Sequence, residues 1–224
     1  LNCVPHITIP GTNHRVLRGD SALTAAAMKS GRLVNEVEIE ALGEVRSIAV
    51  GDVVLDIGAF VGDTARLFLD LGAEVYAFEP YPDAFACLAH NCPDSQNYNV
   101  AVGDGTPMRA MGVKGENSSN FGTRMMSAGG SVPTMRIDDY RFPRVDFVKI
   151  DTEGCEVLAL RGMRDTLARC KPMLLIEAYD TLLHKQGFTR RQIFDELIPL
   201  GFTYRVAIGN ESNDRCDLLF NFHE

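Results

Sequence analysis

Four ionisable residues in the second half of the chain have types and spacing that suit proton transfer. Lys149 and Asp151 stand two apart in Val145-Asp-Phe-Val-Lys-Ile-Asp151. In an extended strand they therefore share one face, opposite Val148 and Ile150. Glu153 follows in the turn, and Glu177 ends a second apolar run, Pro172-Met-Leu-Leu-Ile-Glu177. Charged side chains on a central strand are costly to bury unless they form ion pairs or serve a site. The bland reading is an ion pair that fixes the strand end. The catalytic reading is that Asp151 and Glu153 bind an acceptor hydroxyl or take its proton, Lys149 orients them, and Glu177 is a second base candidate. His184 has the unperturbed pKa of a base, but the sequence places it on a surface loop. Glu156 reads as a first-turn residue that complements a helix dipole. Asp146, Asp151, Glu153 and Glu177 also offer oxygen ligands for a divalent metal, which is the less favoured reading.

A second constellation lies upstream, in Val53-Val-Leu-Asp-Ile-Gly-Ala-Phe-Val-Gly-Asp-Thr-Ala65. The β-branched start predicts a buried parallel strand, and Gly58 and Gly62 predict a turn whose backbone comes close to a ligand. Asp63 is the expected N-cap of the following helix, which carries Leu67, Phe68 and Leu71 inward and stops at Gly72. A strand–glycine turn–helix unit of this kind binds adenosine-type cofactors beyond the C-terminal ends of the strands. A dinucleotide fingerprint needs glycine where Phe60 stands, which disfavours a nicotinamide oxidoreductase. Asp56 before the turn suits ammonium or ribose groups and suits pyrophosphate badly. Glu79, ahead of Pro80, is placed to accept from ribose hydroxyls, and Asp104 to accept from an adenine amino group. Asp56, Gly58, Ala59, Phe60, Gly62, Asp63, Thr64, Glu79, Pro80, Asp104 and Asp151 thus form the candidate cofactor set, and S-adenosyl-L-methionine is the cofactor it suits.

Strands predicted over Glu74–Phe78, Tyr98–Val102, Val145–Asp151 and Pro172–Glu177 alternate with helices from Asp83, over Cys155–Leu167, and from a Thr189-Arg-Arg-Gln192 capping box to Gly201. Two closing strands follow, Phe202–Ala207 and Asp217–Phe222. Residues 1–50 read as a helical extension, with helices over Asp20–Lys29 and Asn35–Leu42 and Glu36 as a minor cofactor candidate. Residues 51–224 read as the cofactor domain. The glycine-rich stretch 105–133 is expected to be an irregular hairpin or loop on the substrate side.

The chain has 224 residues, 46% of them hydrophobic, with a formal charge of −8, which suits one soluble domain and argues against nonspecific attraction to nucleic acid. A local basic group (Arg161, Arg164, Arg169, Lys171) does not change that expectation, and the turn after Asp151 lacks the proline and aromatic residue that would stack a flipped base. Six scattered cysteines without metal spacing predict free thiols in a reducing cytosol. No apolar run is long enough for a membrane span, and Leu1-Asn-Cys-Val-Pro5 lacks the pattern of a signal peptide. The absence of an initiator methionine suggests a processed chain or one domain of a longer protein.

Six segments resemble the FkbM family of S-adenosylmethionine-dependent methyltransferases. They are Val54-Leu-Asp-Ile-Gly-Ala-Phe-Val-Gly-Asp63, Ala77-Phe-Glu-Pro80, Asn99-Val-Ala-Val-Gly-Asp104, Met135-Arg-Ile-Asp-Asp-Tyr140, Asp146-Phe-Val-Lys-Ile-Asp-Thr-Glu-Gly-Cys-Glu156 and Pro172-Met-Leu-Leu-Ile-Glu177. The Lys-Ile-Asp-x-Glu-Gly-x-Glu stretch is the most specific of them. The resemblance implies a three-layer Rossmann-like sandwich with a seven-stranded, mostly parallel sheet whose last strand is antiparallel. It also implies methyl transfer to an oxygen, commonly a hydroxyl of a saccharide or glycan. A polyketide or other secondary-metabolite acceptor, or a catalytically silent cofactor-binding module, is the alternative.

Overall fold

A computed structural model describes residues 6–18, 20, 23–30, 33, 48–110, 124–208 and 214–222. The chain begins with an antiparallel hairpin of β1 (His6–Thr8) and β2 (Arg15–Leu17), followed by helix α1 (Leu23–Ser30). The N-terminal segment is therefore not helical throughout. The helix expected over Asn35–Leu42, with Glu36, lies outside the described residues.

The main unit runs β3 (Val53–Ile57), α2 (Asp63–Asp70), β4 (Glu74–Phe78), α3 (Pro82–Asn91) and β5 (Gln96–Tyr98). Four short strands come next: β6 (Ala101–Val102), β7 (Met108–Ala110), β8 (Met126–Ala128) and β9 (Thr134–Met135). Then follow α4 (Ile137–Tyr140), β10 (Phe147–Ile150), α5 (Glu156–Arg161), α6 (Arg164–Cys170), β11 (Met173–Tyr179), α7 (Asp180–Lys185), α8 (Arg190–Leu197), β12 (Phe202–Ile208) and β13 (Arg215–Phe222). Seven strands form one sheet in the order β12-β13-β11-β10-β3-β4-β5. All pairs from β11 to β5 are parallel, and β13 runs antiparallel to both of its neighbours.

Alternation along the strands makes the three layers. Leu55, Ile57, Val148, Ile150, Leu174 and Ile176 face Leu160, Met163 and Leu167, with Ile193 and Leu197 in the same cluster. Val54, Phe147, Leu175 and Leu219 face Ala65, Phe68 and Leu88 on the other side. The hairpin β1–β2 joins a third cluster, with Ile9, Val16 and Leu17 beside Tyr81, Cys87, Met108 and Met126.

Several boundaries differ from the sequence expectation for visible physical reasons. Helix α2 is preceded by Gly62 in the left-handed conformation, and Asp63 is its first residue, not its cap. The third sheet strand ends at Tyr98, and Ala101–Val102 pair instead with Thr134–Met135. Asp104 consequently follows the short strand β6 and not a strand of the seven-stranded sheet. The helix expected over 155–167 breaks at Gly162, where a Cβ would lie 1.9 Å from the Gly103 carbonyl oxygen. Asp138 then accepts the amides of Asp165 and Thr166, at 3.1 and 2.8 Å, and so opens α6 from outside. The Thr189–Gln192 capping box is present, and the following turn stops at Gly201. Of the glycine-rich stretch, the described ends form the hairpin β7–β8, while Gly112, Gly115, Gly122 and Asn117–Asn120 lie outside the described residues.

Candidate active site

The sheet face that carries Val54, Phe147, Leu175 and Leu219 turns polar one alternate position further toward the C-terminal ends of the parallel strands. The next residues on that face are Asp56, Lys149, Glu177 and Asp217, and register sets Lys149 beside Asp56 and Glu177 opposite Asp217. Period two thus delivers a row of charge across four neighbouring strands. Asp56 is fully buried, Lys149 is 7% exposed and Glu177 is 4% exposed.

At the β3 end, Thr64 Oγ1 donates to Asp56 Oδ2 at 2.8 Å. Asp56 Oδ1 is buried without a hydrogen bond and lies 4.0 Å from Lys149 Nζ. Burial pushes the Asp56 carboxyl up, against the pull of Lys149 and the Thr64 bond. The same burial lifts Asp63 to about 6. Gly58 and Gly62 both adopt positive φ, but the close approaches they allow are internal. A Cβ on Gly58 would lie 1.7 Å from the Asp151 carbonyl oxygen, and one on Gly62 would lie 2.9 Å from Cys92 Sγ. Ala59 is buried between them. Phe60 itself is left-handed, at φ 48°, and its amide donates to Glu79 Oε2 at 3.0 Å. The Tyr81 amide donates to Glu79 Oε1 at 2.8 Å, so Glu79 is held between the β3 and β4 turns, with half-buried Pro80 beside it. Burial raises its carboxyl to about 7. Each Glu79 oxygen keeps a second lone pair, and Asp56 Oδ1 is an orphaned buried acceptor. Both features fit a ligand that brings hydroxyl and ammonium donors.

At the β10 end, Lys149 Nζ donates to Asp151 Oδ2 at 3.5 Å. Asp151, Glu153 and Glu177 converge, each offering an oxygen within 4.8 Å of the others. Burial alone would raise Asp151, but Lys149, a hydrogen bond from Glu177 and Arg215 hold it below its ordinary value. Glu177 moves the other way, raised by burial and by Asp151 and Glu153. The two carboxyls are hydrogen-bonded to each other and are pushed in opposite directions. Burial and the Asp151 charge lift Glu153 to about 9. These three acids have the composition of a divalent-cation site, and two cations, Lys149 and Arg215, already sit against them.

Three participants were not marked as site residues by the sequence. Arg215 pairs with Glu177, and Asp217, raised by burial to about 6, faces Asp151 and Lys149. Glu156 does more than complement a dipole. Its buried Oε1 accepts the Thr152 amide, the Thr152 hydroxyl and the Gly154 amide, each at 3.0 Å, and shapes the whole turn after Asp151. The repeated glutamate of the Lys-Ile-Asp-x-Glu-Gly-x-Glu stretch was its sequence signal. No short-range pattern marks Arg215 or Asp217, which arrive through antiparallel pairing some forty residues further on.

Other candidates stand apart. Asp146 lies at the opposite end of β10, where it accepts the Val53 amide and pairs with Arg144, so it belongs to no common ligand set with Asp151. His184 is exposed on helix α7, not on a loop. Asp104 accepts the Thr106 amide at 3.0 Å and lies in the field of Arg161. Among the described residues, no hydrogen bond ties it to Asp56 or Glu79. Above the site, Arg124 grips Asp83 through both carboxylate oxygens, at 2.9 and 3.0 Å, with its guanidinium 4.4 Å from the Tyr81 ring centroid. Gln186 of the α7 end donates to the Met126 carbonyl, so β8 is fastened to both sides of the row.

A three-layer sheet of this strand order, with a glycine turn and carboxylates at its C-terminal edge, defines the class I methyltransferase fold. Methyltransferase FkbM from Methylobacillus flagellatus KT is 17% identical and superimposes with a TM-score of 0.56, over 80% of this chain and 45% of that one. A TehB-like SAM-dependent methyltransferase from Corynebacterium glutamicum is 12% identical and gives 0.55 over 90% and 96%. Residues 56–206 match the Methyltransferase FkbM domain family, and the chain belongs to that family of S-adenosylmethionine-dependent methyltransferases. The hexuronic acid methyltransferase AglP of Haloferax volcanii is 30% identical to it over 174 residues, 73% of this chain and 72% of AglP.

Proposed function

We propose that the chain methylates a hydroxyl of a saccharide or glycan. In this reading residues 51–224 form the methyltransferase unit, and 105–133 shape the acceptor side. The observation that carries the reading is Lys149, which lies 4.0 Å from Asp56 in the cofactor turn and 3.5 Å from Asp151 in the acceptor turn. One ammonium thus ties the two half-sites together. The sugar acceptor is supported by the similarity to AglP, whose name is that of a hexuronic acid methyltransferase.

S-adenosylmethionine supplies an activated methyl group when bound. Asp56 and Glu79 accept hydrogen bonds from it, and the Gly58–Gly62 turn bounds its pocket. Alignment of methyl and acceptor contributes most, since well-oriented reactants lower a barrier by roughly 7–11 kcal/mol. Asp151 takes the hydroxyl proton at the acceptor side, a role typically worth about 10²–10⁴-fold. Glu177 donates to Asp151 and orients it, and Glu153, protonated at neutral pH, donates to an acceptor oxygen. Lys149 and Arg215 already supply positive charge at the three acids, and full turnover in a chelator is expected.

The test is methyl transfer from labelled S-adenosylmethionine to a panel of glycosides, sugar acids and small polyketide alcohols, read by mass spectrometry. Methylated saccharide is the expected product. Modification of the polyketide alcohols alone overturns the acceptor assignment, and tight S-adenosylhomocysteine binding without any transfer indicates a silent module.

A further inference from the structure

Arg215 stands at the open end of the charged row and differs from its neighbours there. It pairs with Glu177, yet its side chain is 62% exposed while that of Glu177 is 5% exposed. It lies on β13 opposite Tyr179 and shares a sheet face with Asp217 and Glu177. A guanidinium has five N–H donors in a rigid fork, so one edge can hold Glu177 while the other meets a planar anion. Glu177 has a second partner in Asp151 and does not depend on Arg215 alone. Around Arg215 lie four carboxyls, Asp151, Glu153, Glu177 and Asp217, while the cluster's other cation, Lys149, sits further in, against Asp151 and Asp56. Inside the row Lys149 is already engaged by Asp56 and Asp151, whereas Arg215 is the exposed cation at the rim, so a carboxylate-bearing acceptor meets its counter-charge there.

We propose that Arg215 is a specificity-determining residue that anchors the carboxylate of a sugar acid at the rim, so that the site selects uronic-acid saccharides over neutral ones. This rests on the saccharide reading above. A carboxylate held at Arg215 leaves the ring hydroxyls pointing inward along the row toward Asp151, so one contact sets both selection and orientation. Bidentate arginine–carboxylate pairing supplies the geometric specificity.

The experiment compares a hexuronide with the neutral hexoside of the same ring and aglycone. It reads kcat/KM for each, with wild type, Arg215→Gln and Arg215→Lys, and S-adenosylhomocysteine binding by calorimetry as the check on folding. Wild type is expected to favour the uronide by about tenfold or more, and rising salt should shrink that preference. In Arg215→Gln the uronide-to-hexoside ratio should fall by about tenfold or more, through KM more than kcat. Arg215→Lys should give an intermediate ratio, because it keeps the charge and loses the fork. Equal use of the two acceptors by wild type overturns the proposal alone. So does an unchanged ratio in Arg215→Gln with S-adenosylhomocysteine binding intact. If the glutamine variant does not fold, an unchanged ratio in the lysine variant overturns it. Turnover of neither glycoside overturns the saccharide reading and this proposal with it.

Discussion

Asp151 and Glu177 are neighbouring carboxyls pushed in opposite directions: burial and the nearby Asp151 and Glu153 raise Glu177, while against burial Lys149, Glu177 and Arg215 hold Asp151 low. Asp151→Asn keeps shape and removes the proton acceptor. Turnover is expected to fall about 10²-fold or more, while S-adenosylhomocysteine affinity, read by calorimetry, changes less than about threefold. An equal loss in both would move Asp151 to the cofactor side. Glu177→Gln retains a donor toward Asp151 and a carbonyl toward Arg215, so it should stay within about tenfold of wild type. Glu177→Ala removes the donor and should approach the Asp151→Asn loss. Backbone strain marks the same place. Among the described residues, four non-glycine positions have positive φ, and Arg141 and Lys171 are helix C-caps. The other two, Phe60 and Glu153, sit in the two turns of the site, where strain is commonly retained for function. Lys149, Asp151, Glu153 and Glu177 were legible because period two and charge on an apolar strand are local signals. Arg215 and Asp217 were not, because strand pairing brings them in from a distant segment.

Among the elements, the hairpin β7–β8 depends on its fastenings more than on its own length. Arg124 and Asp83 are 9% and 5% exposed, and the pair ties β8 to the N-terminus of α3. Arg124→Ala removes the bidentate partner of buried Asp83, which keeps the Ala84 amide, and losing one such partner typically costs about 1–3 kcal/mol. A lower melting temperature and faster protease cleavage between β7 and β8 are expected. An unchanged melting temperature and cleavage pattern would show that the hairpin is held elsewhere. The sequence marked this stretch as irregular from its glycines, and it marked the strand–helix alternation from its periods. It did not show where β5 stops, because Tyr98–Val102 reads as one strand until Thr134–Met135 offers Ala101–Val102 other partners. Likewise the break in the α5–α6 pattern comes from the Gly103 carbonyl against Gly162, a contact between distant segments.

The whole molecule holds protons that an unfolded chain would release. Glu79 and Glu156 are raised to about 7 and Glu153 to about 9, each chiefly by burial. Between the ordinary glutamate value and these values, the folded state binds more protons than the unfolded state. Stability is therefore greatest below that window and declines as pH rises through it. Melting temperature should fall from about pH 5 to 7, where all three acids contribute, and more gently from about pH 7 to 9. Glu153→Gln should flatten the upper part. A profile that rises across pH 5–9 would contradict the burial of these acids. The strand–helix alternation and the parallel sheet were legible from local periods and caps. The seven strands with an antiparallel last one came from the family resemblance, and their order is a matter of long-range pairing. Gly58 carries a different lesson. Because the space of its missing side chain is filled by the Asp151 backbone, the turn after β3 and the turn after β10 are one mechanical part. A designer who grafts a new acceptor turn onto this scaffold must carry the position of that carbonyl with it. Acceptor range should therefore evolve through the hairpin and the β13 rim, while the joint between β3 and β10 stays fixed.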